Sequence, residues 1–142
     1  MNIHEQIQDY IASLPEPKRS EFEELHLRIL KSMPKCKQWF LDGKDEYGKT
    51  VSNPNIGYGS QVMTHSGGKT REFYQVGLSA NTTGISVYIM GLKDREYLSK
   101  NYGKKLGKAS VTGYCITFKR LKDMNVGVLM EAIRDGVKQT GK

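Results

Sequence analysis

The spacing of apolar residues changes period twice along this chain, and that double switch restricts the fold more than any single motif. Ile3, Ile7, Tyr10, Ile11 and Leu14 recur at helical intervals, so residues 2–13 read as an amphipathic helix. Leu14-Pro15-Glu16-Pro17 ends it, because proline has no N–H to donate and Pro15 biases Leu14 away from helical geometry. Pro17 suits the first turn of a second helix, whose apolar stripe is Phe22, Leu25, Ile29, Leu30 and Met33 and which Pro34 closes. His26 falls at the edge of that stripe and reads as a half-buried packing residue.

From there the period becomes two. Ile56 to Thr64 reads as one strand, followed by a turn at Ser66-Gly67-Gly68-Lys69. Glu72 to Leu78 reads as another, with Tyr74, Val76 and Leu78 on one face. Ile85, Val87 and Ile89 alternate likewise, and Asn81-Thr82-Thr83-Gly84 between the two runs is hairpin chemistry. Gln38 to Leu41 reads as a short strand, Asp42 to Asn55 as a polar loop, and Asp94 to Tyr102 as helical. Tyr114, Ile116 and Phe118 form a last strand. A closing helix, starting near Asp123 or Asn125, buries Val126, Leu129, Met130, Ile133 and Val137. Helices at both ends of hairpin-linked strands predict an α+β fold, with N- and C-terminal helices packed on one face of an antiparallel sheet. With 142 residues and no linker or repeat, residues 1–142 are expected to form one domain.

The longest apolar run, Ile85 to Leu92, is far short of the roughly 20 residues a membrane helix needs, so no membrane partner is expected. Glu5, Gln6, Gln8 and Asp9 stand where a signal peptide would be apolar, which predicts a cytoplasmic protein. Cys36 and Cys115 then read as separate reduced thiols.

The formal charge is +7 and unevenly spread. Lys93 to Lys122 holds nine basic side chains against Asp94 and Glu96, whereas the first thirty residues are acidic. Such a stretch either solubilises the protein or attracts anions. Gly68-Lys69-Thr70 and Gly103-Lys104-Lys105-Leu106-Gly107-Lys108 each miss the phosphate-binding loop, the first with Met63 in place of the leading glycine, the second one residue short. His4, His26 and His65 form no metal-binding pair and no nucleophilic triad can be assigned. Gly57-Tyr58-Gly59 is the sharpest local feature. Two glycines in a strand forfeit packing, so at least one is expected to have positive φ, or another backbone or a ligand packed against its Cα, with Tyr58 projecting into an adjoining cleft.

Taken together, several segments resemble the YdhG-like family, a domain of unknown function. They are Tyr10-Ile11-Ala12-Ser13-Leu14-Pro15-Glu16-Pro17-Lys18-Arg19, Ile56-Gly57-Tyr58-Gly59-Ser60, Gln75-Val76-Gly77-Leu78-Ser79 and Ile85 to Met90. Leu106-Gly107-Lys108, Thr112-Gly113, Cys115 and Lys119-Arg120-Leu121-Lys122-Asp123 complete the pattern, in order and across essentially the whole chain. The chain departs from close relatives at Asn81-Thr82-Thr83 and at Tyr114, where positive charge is common. The resemblance implies a frataxin-like arrangement of helices on an antiparallel sheet.

Three functions follow as expectations. The first is a non-enzymatic binding protein that meets a small molecule or protein at Gly57, Tyr58, Gly59, Lys108 and Cys115, with no cofactor; the rival is an enzyme using Tyr58 or Cys115. The second, implied by the resemblance, is an iron chaperone for iron–sulfur cluster assembly, with Glu5, Asp9, Glu21 and Glu24 as weak hard-oxygen ligands. The third, and least favoured, is a nucleic-acid binder using Lys93 to Lys122 with Tyr97, Tyr102 and Tyr114 as stacking residues.

Overall fold

Asn2 accepts the Glu5 N–H through its side chain at 2.8 Å and so caps α1 (Ile3–Ser13). The computed structural model describes residues 2–64 and 66–141; His65 lies outside the described residues. After the proline turn comes α2 (Lys18–Ser32), then β1 (Gln38–Leu41), β2 (Asn55–Tyr58), β3 (Gln61–Thr64), β4 (Thr70–Phe73), β5 (Val76–Ala80) and β6 (Ile85–Ile89). The chain continues through α3 (Tyr97–Tyr102), β7 (Ala109–Thr112), β8 (Cys115–Phe118) and α4 (Val126–Thr140). Asn125 caps α4 as Asn2 caps α1, its side chain accepting the Val128 N–H. No helix among the described residues is long and apolar enough to cross a membrane.

Six strands form one antiparallel sheet in the order β1-β2-β5-β6-β8-β7. Its register explains both faces. Ile56, Leu78, Val87, Ile116 and Val111 share one row, and Tyr58, Val76 and Ile89 share the next, all on the side that carries the core. The helices supply the other half of that core. Tyr10 of α1 packs edge-on against Phe22 and tilts against Phe40 of β1. Gly136 brings α4 so near the sheet that a methyl group there would run into Ile89. Tyr97 and Tyr102 of α3 both donate to Asp135 Oδ2 at 2.6 Å, which ties α3 to α4. The α+β class and the helices-on-one-face layering match the periodicity.

Several sequence expectations are corrected. Ile56 to Thr64 is two strands, because Gly59 at φ +80° breaks β2 from β3. Glu72 to Leu78 is likewise divided between β4 and β5, and Tyr74 lies on the face opposite to Val76 and Leu78. β3 and β4 pair only with each other, as a two-stranded ribbon beyond the main sheet. β7 has no counterpart in the sequence reading, and the α3 helix is shorter than Asp94 to Tyr102. Cys36 and Cys115 are both free.

His26 is also more deeply placed than its stripe position suggests. It is 3% exposed, and its Nδ1 is 2.6 Å from the Tyr58 hydroxyl. Burial, with a smaller contribution from His4, pushes the ring's pKa below its usual value. The unfolded chain therefore takes up a proton as pH falls below about 6.5, while the folded chain resists it. Stability is expected to be fully present above that pH and to decline from there down toward the lowered folded pKa. Urea midpoints between pH 7.5 and 5 should fall for the wild type and flatten for His26→Gln. An unchanged slope in the variant would remove His26 as the cause.

Candidate functional site on the helix-free sheet face

Side chains that alternate away from the core face the side of the sheet on which no helix is packed. The register sets them in two rows. One runs Trp39, Gly57, Gly77, Tyr88, Cys115, Thr112; the other runs Leu41, Asn55, Ser79, Ser86, Thr117, Ser110. The paired glycines of the first row make a floor, and the Tyr74 ring lies on both. A methyl group at Gly57 would stand 2.6 Å from Tyr74 Cγ, and one at Gly77 would stand 2.7 Å from Tyr74 Oη. Phe73 stacks on Tyr74 at 4.1 Å between ring centroids and meets Trp39 edge-on at 6.0 Å. Lys37 sits 4.4 Å from the Trp39 ring centroid and Arg71 sits 4.6 Å from that of Phe73. The β3–β4 ribbon thus delivers an aromatic plug that covers the β2–β5 half of this face.

The other half, over β6, β8 and β7, stays open. Tyr88 and Cys115 are half-buried, Tyr114 is 48% exposed, and Ser110 and Thr112 are exposed. A chain of polar contacts crosses it. Asn81 Nδ2 donates to Ser86 Oγ at 2.9 Å, Ser86 Oγ is 3.1 Å from Thr117 Oγ1, and Thr117 Oγ1 is 3.4 Å from Cys115 Sγ. Burial holds the Tyr74 phenol well above its usual pKa, with Tyr88, Tyr114 and Cys115 adding in the same direction, so these groups share one environment. The Tyr88 phenol is raised for the same first reason, burial, and then by Cys115. Both phenols remain neutral near pH 7.

Against this geometry the sequence-named residues separate. Gly57 and Cys115 lie in one row, three strand spacings or about 14 Å apart, with Gly77 and Tyr88 between them. Lys108 is exposed and directly precedes β7, in a tight turn closed by the Ala109 N–H on Gly107 O at 2.9 Å, and belongs to neither row. Gly59 has the expected positive φ, whereas Gly57 carries the Tyr74 side chain against its Cα in place of another backbone or a ligand. Tyr58 is a correction: it is fully buried beneath α2 and bonded to His26, and it does not project into a cleft. The alternation that places Gly57 outward forces Tyr58 inward. Tyr74 and Tyr88 were missed, although the Gly57↔Gly77 pair needed a large neighbouring side chain to fill the space above it.

The proposed iron ligands are not gathered into one group. Glu21 accepts from Arg120 Nε at 2.7 Å and from the Leu121 N–H, and Glu24 pairs with Arg28 at 2.9 Å. Among the described residues no three His, Cys, Asp or Glu side chains come together in a metal-binding arrangement. Of the three tyrosines considered for base stacking, Tyr97 and Tyr102 are held on Asp135 and Tyr102 is 9% exposed, which leaves Tyr114. In comparisons with known proteins, no family model, no curated protein and no solved structure matches this chain.

Proposed function

We propose that this chain is a non-enzymatic binding domain of the YdhG-like kind, and that it meets a protein partner on the open, β6–β8–β7 part of the helix-free face. The observation that carries this reading is the pairing of Tyr88 and Tyr114 with the hydroxyls of Thr117, Ser110 and Thr112, on a face that no helix covers. Tyrosine offers large contact area at low entropic cost, and hydroxyls adapt to a partner's polar groups. Short side chains make a plane rather than a pocket, which favours a broad protein surface over an enclosed small molecule. Cys115 has a hydroxyl, Thr117 Oγ1, beside its sulfur in place of a base, which supports binding over thiol chemistry. Iron delivery and nucleic-acid binding have less support, because Glu21 and Glu24 are engaged with cations and two of the three tyrosines are engaged with Asp135.

The test is affinity capture with three variants of unchanged melting temperature. Tyr114→Ala and Ser110→Arg alter the open face, and Glu23→Lys alters the exposed side of α2. A partner retained by wild type and Glu23→Lys, but reduced about tenfold or more by both face variants, is the expected result. A partner indifferent to the face variants, or metabolite turnover abolished by Cys115→Ser, would overturn the proposal.

A further inference from the structure

Granting the partner-binding reading of the adjoining sheet face, on which this rests, we infer that the open edge of β7 takes up an extended, acidic segment of the partner as a further strand. β7 ends the sheet and pairs on one side only, with β8. Its backbone orientation follows from one bond. The Ile89 N–H donates to Tyr114 O at 2.8 Å, and the same peptide unit then aims the Cys115 N–H the other way, at β7. Cys115 and Thr112, registered across the turn Gly113-Tyr114, therefore exchange bonds, as do Thr117 and Ser110. Ala109 and Val111 alternate with them and turn their N–H and C=O groups outward. The Ala109 N–H closes onto Gly107 O at 2.9 Å, which leaves the Ala109 C=O and both groups of Val111 unpaired among the described residues.

Sheet edges are normally blunted by a charge, a proline or a bulge. Ala109-Ser110-Val111-Thr112 contains neither charge nor proline, and its register with β8 runs unbroken. Ala109 and Val111 are only half-buried on the core side, and Ser110 and Thr112 are exposed on the helix-free side. An added strand therefore gains apolar contact for one set of its side chains and hydroxyl neighbours for the other. Charge selects which strand. Lys104, Lys105 and Lys108 precede β7, and Lys119 follows Phe118, the register partner of Ala109. All are exposed and none is in an ion pair among the described residues. Asp123, whose backbone O accepts the Lys108 N–H at 3.2 Å, opposes them with a single carboxylate. A second copy of β7 would bring the same cations to the seam, whereas an acidic segment neutralises them. The opposite edge, β1, has no such excess: Lys37, Asp42 and Lys44 bracket it, and Lys37 pairs with Glu72 at 3.1 Å.

Titration of the ¹⁵N-labelled chain with the peptide acetyl-EDVTVDE-amide tests the assignment. The controls are acetyl-KKVTVKK-amide and the acidic peptide with its three central amides N-methylated. The Val111 amide is expected to exchange faster than that of Thr112 in the free protein, and to slow about tenfold or more once the acidic peptide is bound. Both controls should bind about tenfold more weakly. Lys104→Glu combined with Lys108→Glu, outside the strand, should weaken the acidic peptide by a similar factor. Val111→Pro, at an edge position where proline removes no bond to β8, should abolish saturable shifts at the neighbouring amides. Should that variant lower the melting temperature, the lysine double variant and the N-methylated peptide decide alone. The inference is overturned by a Val111 amide already as protected as Thr112, by no saturable shift in the millimolar range, or by equal affinity for the N-methylated peptide. Wild-type affinity in the lysine double variant, or a dimer of the free chain that Val111→Pro dissolves, overturns it as well. A captured partner lost with Tyr114→Ala and Ser110→Arg but retained by Val111→Pro would keep the sheet-face reading and remove only the added strand.

Discussion

Tyr58→Ala is expected to cost the fold about 3–5 kcal/mol, the largest effect of any single substitution considered for this protein. The side chain is fully buried between β2 and α2, so truncation leaves a cavity and also strips His26 Nδ1 of its partner. Tyr58→Phe separates the two terms. It keeps the ring and removes the hydroxyl, leaving a buried imidazole nitrogen unpaired at about 1–3 kcal/mol. Adding His26→Leu to Tyr58→Phe should then recover part of the loss, because both halves of the buried polar pair have become apolar. Urea denaturation with an unchanged slope measures all three. A cost below about 1 kcal/mol for Tyr58→Ala would mean that the ring is not seated under α2 and that Tyr58 is free for a ligand after all.

Gly57→Ala is expected to destabilise by about 1–3 kcal/mol, through overpacking alone. Its φ is ordinary, so the backbone accepts alanine, and the conflict is with the Tyr74 ring laid across it. That cause makes a sharp double-mutant prediction. In a Tyr74→Ala background, itself destabilised by loss of a buried ring, the further change Gly57→Ala should cost nothing measurable. Gly59→Ala is the control, because at φ +80° it pays about 1–2 kcal/mol of backbone strain whether or not Tyr74 is present. If Gly57→Ala costs the same with and without Tyr74, the aromatic plug does not rest on that glycine, and the division of this face into a plugged half and an open half falls.

The two glycines show how far local reading reaches. Their number and spacing announced a backbone in an unusual setting, and positive φ at Gly59 is that setting. What covers Gly57 was not legible, because Tyr74 arrives from seventeen residues further on, across a ribbon whose two strands each looked continuous with the main sheet. β7 was missed for a related reason. Ala109 to Thr112 has only Ala109 and Val111 to mark an inward side, too few positions for alternation to show. The open site was half legible: Cys115 was named, whereas Tyr88 was hidden inside a run recognised only by its inward residues Ile85, Val87 and Ile89.

The extents of α1, α2 and α4, the hairpin at Asn81 and the α+β class follow from the sequence by itself, because caps, prolines and apolar period act within a few residues and owe nothing to the rest of the chain. The orientation of Tyr58, the aromatic plug and the open hydroxyl face were decided only by the tertiary structure. Each depends on which strand lies beside which, and pairing across 18 to 33 residues of chain sets which side of the sheet a residue meets and what covers it.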